Sequence, residues 1–193
     1  MRINLVVEEL SDLSLLERVI PTLPRMDVQL TLGAGSDRYY AVIRARSIRV
    51  DRGEAVILLL DARTVDEQTI SRDRGEIMAL LTAAGPPLPV EVIFALPELE
   101  TVLFHDSVVL ERLLGIAMTE EDRIEARFIP KKVLARLLQR SGRFAATSEV
   151  IEAMDEEGAR RLSSHPLIQE IEAVVAEIKK NAIPEEFHYL LTG

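Results

Sequence analysis

Four acidic residues stand where short apolar runs stop. Glu8 follows "INLVV", Asp61 follows "AVILLL", and Glu98 and Glu100 follow "VEVIFALP". Carboxylates that converge on one rim repel one another unless a cation separates them, and hard oxygen donors of this kind suit Mg²⁺ or Mn²⁺. A metal held there would activate water and stabilise charge developing on a phosphate. Neighbouring acids have plainer readings. Glu9 reads as a solvated neighbour of Glu8. Ser11 or Asp12 reads as a helix cap. Asp66 and Glu67 suit the first turn of a helix, where the dipole favours them. The competing reading of the whole set is that strands end at the surface, where acids are common.

Composition narrows the function classes. The chain has 193 residues, 32 acids against 23 lysines and arginines, and a formal net charge of −9. Non-specific nucleic-acid affinity comes from neutralising phosphates, so this balance opposes a stand-alone binder and leaves room only for a local patch or a bridging metal. Cysteine is absent, which excludes disulfides and thiolate metal sites. His105, His165 and His188 lie far apart along the chain with no HxxxH spacing, against a histidine zinc site. Aromatic residues make up 4% and tryptophan is absent, a poor supply for base stacking. "GAGS" (33–36) lacks the third glycine of a dinucleotide loop and the Lys-Ser/Thr of a P-loop. Its N–H groups, with Arg38 and Arg44, would make a phosphate site at a helix start, the weakest of the readings. No leader segment and no apolar run of membrane length is present, so a cytoplasmic protein without membrane contact is expected.

The acids need elements to place them. "RINLVVEE", "DVQLTLGAGS", "EAVILLLD" and "PVEVIFALP" read as buried strands. Helical patterns follow each one: "SDLSLLERVIPTL", a segment starting near Ser36, "VDEQTISRDRGEIMALLTAAG" and "ELETVLFHD". Continuous apolar strands alternating with helices predict an α/β fold, a four-stranded, mainly parallel sheet flanked by helices. Beyond Asp106 only helices are expected, near 107–115, 130–141, 147–163 and 165–180. The predicted organisation is an α/β domain over 1–115 and a helical C-terminal extension over 116–193 packed on it. Leu167, Ile171, Val174, Val175 and Ile178 form an apolar stripe expected to pack into a core.

The order of these pieces resembles the Toprim fold. The stretches that carry the resemblance are "VVEELSDLSLLERVI", the buried strand ending at Asp61 and "LPELETVLFHD". The nearest likeness is to the nuclease domain of OLD-type (overcoming lysogenisation defect) proteins. The C-terminal stretch "PKKVLARLLQRSGRF…IEAMDEEGARRLSSHPLIQEIEAVVAEI" is similar to the helical tail of small Toprim-like bacterial proteins. The resemblance implies a divalent-metal-dependent nuclease or phosphoryl-transfer protein. Glu8, Asp61, Glu98 and Glu100 would be metal ligands, and Glu8, Asp61 and a downstream lysine would be catalytic. Lys131 and Lys132 are both candidates for that lysine, and Lys132 is carried as the catalytic one. Two positions depart from the family pattern. Arg63 stands where a second aspartate belongs, and Glu9 where glycine is usual. A fixed positive charge about 4 Å from the cation, at an effective dielectric near 20, costs about 4 kcal/mol. The alternative is therefore a catalytically inactive Toprim-like binding or regulatory module. It would work through a protein partner or a homodimer, whereas the nuclease would act on nucleic acid.

Overall fold

The computed structural model describes residues 1–33, 38–83 and 87–181. Strands β1 (Ile3–Val7), β2 (Val28–Leu32), β3 (Ala55–Asp61) and β4 (Val90–Ala95) form one sheet in the order β2-β1-β3-β4. Every pairing is parallel: Leu5 of β1 sits beside Leu30 of β2 and Ile57 of β3. β1 and β3 are central and buried along their whole length, which explains their unbroken aliphatic sequence. β2 is an edge strand, and its Leu32 is exposed.

Helices α1 (Leu10–Val19), α2 (Arg38–Ser47) and α3 (Glu67–Thr82) make the crossovers. The chain leaves β1 toward β2 and then steps back past β1 to β3. Right-handed crossovers therefore place α1 on one face and α2 and α3 on the other. Side-chain packing agrees. Ile3, Leu5, Ile57 and Ile93 share a core with Leu16 of α1, while Val56, Leu58 and Phe94 pack with Ala41 of α2 and Ile77 of α3.

After β4 the chain is helical: α4 (Thr101–Phe104), α5 (Ser107–Leu114), α6 (Glu120–Glu125), α7 (Pro130–Ser141), α8 (Thr147–Glu152), α9 (Glu156–Leu162) and α10 (Pro166–Asn181). These helices cover the α1 face. Leu137, Val150, Leu162, Leu167, Ile171, Val175 and Ile178 are buried in the same core as β1, and Val174 packs partly buried against it.

Three local expectations change. The segment 147–163 is two helices, because Asp155 accepts a hydrogen bond from the Gly158 N–H at 2.8 Å and starts α9 afresh. Helix α6 lies between the helices expected near 107–115 and 130–141, where none was expected. The Thr119 side chain accepts from the Asp122 N–H at 3.1 Å, and the Asp122 carboxylate accepts from the Thr119 N–H at 2.9 Å. Asp122 is 2% exposed and also binds Arg136 at 2.8 Å and Arg140 at 2.6 Å, tying α6 to α7. Burial alone would raise its pKa, but the two guanidinium groups and the Thr119 bonds hold it well below the usual carboxylate range. Finally, α1 begins at Leu10, not at Ser11 or Asp12. Glu9 is its N-cap, and Asp12 closes the box from the third helical position by accepting from the Glu9 N–H at 2.9 Å.

Candidate functional site

In an open parallel sheet the strand order reverses at one point, and the crevice beyond the carboxyl ends there is where ligands bind. Here that point lies between β1 and β3. Glu8 follows β1 and Asp61 closes β3, so residues 53 positions apart meet: the Asp61 N–H donates to Glu8 Oε1 at 2.9 Å. Asp61 Oδ1 accepts from the Leu99 N–H at 2.8 Å, which ties the turn after β4 to the same rim. Glu8 and Asp61 are 2% and 4% exposed. Arg38, at the start of α2, donates to the Asp61 main-chain oxygen, and its Nη1 pairs with Asp73 at 3.1 Å.

Arg63, at the position where the resemblance implies a second aspartate, has a left-handed backbone with φ of 59°. That conformation is uncommon for a residue with a Cβ. Its N–H donates to the Pro97 carbonyl at 2.7 Å, and its Nη2 reaches Glu8 Oε2 at 2.9 Å. The positive charge foreseen as hostile to a metal is thus spent on the strand-one glutamate.

The other cation comes from the C-terminal half. Pro130 opens α7, and the next residue, Lys131, donates its main-chain N–H to Glu98 Oε2 at 3.1 Å. Its Nζ lies 2.8 Å from Asp61 Oδ2, 2.9 Å from Glu9 Oε1 and 3.9 Å from Glu100 Oε1. Lys132 is about 100° further round the helix and is exposed. Of the two lysines it is Lys131 that enters the cluster. Glu9 joins it rather than standing in solvent. Asp66 caps α3, accepting from the Thr69 N–H at 2.9 Å. Residues 34–36 of "GAGS" lie outside the described residues.

Glu8, Glu9, Asp12, Asp61 and Glu100 therefore face Lys131 and Arg63. Fully ionised, these groups would carry an excess of three negative charges. Burial, the largest cause, pushes Glu100 up to about 8 even though Lys131 opposes the rise. Burial, reinforced by Asp61, pushes Asp12 up to about 7. Glu8 is raised by burial too, partly offset by its bond from Asp61. Protonating Asp12 and Glu100 cuts the excess to one. Burial works against the charge on Lys131, but its bond to Asp61 and the field of Glu100 outweigh it and hold the pKa above the usual lysine value. Glu100 Oε2 is buried and lacks a hydrogen-bond partner.

The donor set was tested against the divalent metal that the resemblance implies. Among the described residues no group of three or more Asp, Glu or His side chains is arranged to hold a metal ion. The point where Asp61, Glu9 and Glu100 converge holds the lysine ammonium, and Glu98 is turned to the α7 backbone. As arranged, the residues do not fit a divalent cation. Among the described residues no helix is long and apolar enough to cross a membrane. Comparison of the chain with protein-family models, with curated proteins and with solved structures found no match.

Proposed function

We propose that this chain is a Toprim-like binding or regulatory module in which Lys131 stands where relatives of that fold would hold a divalent ion. It acts through a partner and not by cutting phosphodiester bonds. One observation carries the reading: the Lys131 Nζ, 2.8 Å from Asp61 and 2.9 Å from Glu9, supplies the cation that the acids need to tolerate one another. The site is compensated from within the chain, and two of its carboxyls are pushed toward their neutral, poorly ligating forms.

Nucleic acid is the partner class with the most support. Helix α2 and the wide turn continuing it carry Arg44, Arg46 and Arg52, which have no carboxylate partner among the described residues. Tyr39 and Tyr40 are exposed on the same helix. In a chain of net charge −9 this local surplus of arginines without carboxylate partners is an exception that suits phosphates, with the tyrosines as stacking partners for bases.

A metal-dependent nuclease is the second reading, favoured by the unpartnered Glu100 Oε2 beside Asp61 and Lys131. One experiment separates the two. The purified protein is incubated with labelled single- and double-stranded DNA and RNA, with EDTA, Mg²⁺ or Mn²⁺, and both retention and cleavage are scored. Retention without cleavage, equal in EDTA and Mg²⁺, is the expected result. Cation-dependent nicking that Asp61→Ala abolishes would establish the nuclease instead.

A further inference from the structure

We propose that the cavity bounded by the turn after β4, the start of α5, helix α6 and the α9–α10 turn binds a small organic oxyanion, one anionic head on a short apolar body. The cavity holds about 440 Å³, within the usual size of small-molecule sites. Its residues are not those of the acidic rim, so it stands or fails independently of the reading above.

Charge is the first argument. The chain has 32 acids, yet no aspartate or glutamate lines this cavity, whereas Arg123, Arg127, His105 and His165 all do. Arg123 is held by Glu111 at 2.9 Å. Arg127 is exposed and has no carboxylate partner among the described residues, so its guanidinium is available to an anion.

Proton placement is the second. The Leu167 N–H donates to His165 Nδ1 at 3.1 Å, so the neutral ring carries its proton on Nε2. Burial, then the neighbouring His105, keeps His165 down to about 4, and the ring stays a neutral donor near pH 7. The His105 and His165 rings meet edge to face at 5.1 Å, and His105 Nε2 is bonded to Ser164 at 3.0 Å, which fixes the pair. The Ser107 hydroxyl adds a further donor to the wall. Phe104 and Met118 supply an apolar bed for the body of the ligand.

Phenyl phosphate, benzoate, inorganic phosphate and aniline are titrated separately into the full chain by calorimetry, with NMR observation of the His165 ring Nε2–H. Saturable one-to-one binding of an aryl anion is expected, absent for aniline and weakened at least tenfold by Arg127→Ala. Arg127 is exposed, so that variant leaves the fold intact. Lys180→Ala, at an exposed position of α10, should leave binding unchanged. Tighter phenyl phosphate identifies a phosphate monoester as the ligand class, and tighter benzoate a carboxylate. Absence of saturable binding by both aryl anions, or binding that Arg127→Ala leaves unaltered, overturns the proposal.

Discussion

Replacing Lys131 by methionine keeps the stem that lies along α7 and removes only the ammonium. Asp61 and Glu9 lose contacts of 2.8 and 2.9 Å, and Glu100 loses a neighbour at 3.9 Å. At about 4 Å and an effective dielectric near 20, one such contact is worth about 4 kcal/mol. Removing one member of a buried pair costs about 3–5 kcal/mol. The Lys131 side chain is 29% exposed, so the lower end, about 3 kcal/mol, is the better figure. For a chain of this size that is a fall in Tm of roughly 6–12 °C. The loss must also depend on pH. Glu100 and Asp12 titrate near 8 and 7, so both are mostly protonated at pH 5.5 and mostly ionised at pH 8.5. The penalty at pH 5.5 should be about half that at pH 8.5. Mn²⁺ added at pH 8.5 should recover part of the lost stability, as any ligand of the folded state does. Thermal and urea unfolding at both pH values measure all three effects. An equal loss at the two pH values, or a loss under about 1 kcal/mol at pH 8.5, refutes the charge balance described for the rim.

Three further outcomes follow from the same geometry. The folded-state pKa of Glu100 lies above its ordinary value, so this group lowers stability progressively as pH rises from about 4.5 toward 8; urea midpoints across that range should fall for the native chain and fall less steeply for Glu100→Gln. Arg63→Asp removes the partner of Glu8 and supplies the acid pair that the Toprim resemblance implies; stability should drop by about 1–3 kcal/mol in EDTA, and adding Mn²⁺ should raise the Tm of the variant more than that of the native chain. Ile171 is fully buried in the core shared by the sheet and α10, so Ile171→Ala should cost about 2–5 kcal/mol; tyrosine fluorescence and far-ultraviolet dichroism should still report one coincident transition, whereas a separate early transition would mean that the helical half melts alone.

The layout of the sheet was legible because buried parallel strands have no polar face to blur them: "AVILLLD" has one plausible home. Glu8 and Asp61 were legible as neighbours from topology alone, since both end strands at the order reversal. The cation was half legible. Adjacent residues on a helix point about 100° apart, and which lysine turns inward depends on where Pro130 starts α7, which only the packed structure fixes. Glu9 was misplaced because its side chain meets a lysine 122 positions later, a contact without local signature. Helix α6 was hidden in "EEDRIE", where acids outnumber apolar residues; the capping pair Thr119 and Asp122 was the available sign. The facing histidines 105 and 165 come from a tertiary contact between α4 and the start of α10, invisible to any spacing rule.

Lys131 comes from α7, whereas the carboxylates it serves come from the first hundred residues. During synthesis all four strands leave the ribosome before that lysine does. A nascent chain ending near residue 115 would hold a complete set of strands, an uncovered greasy face and a mutually repelling edge. The arrival of α7 would relieve both defects in one docking step. Residues 1–115 expressed alone should therefore be soluble only with help from a chaperone, and a peptide spanning 116–181 supplied in trans should rescue them.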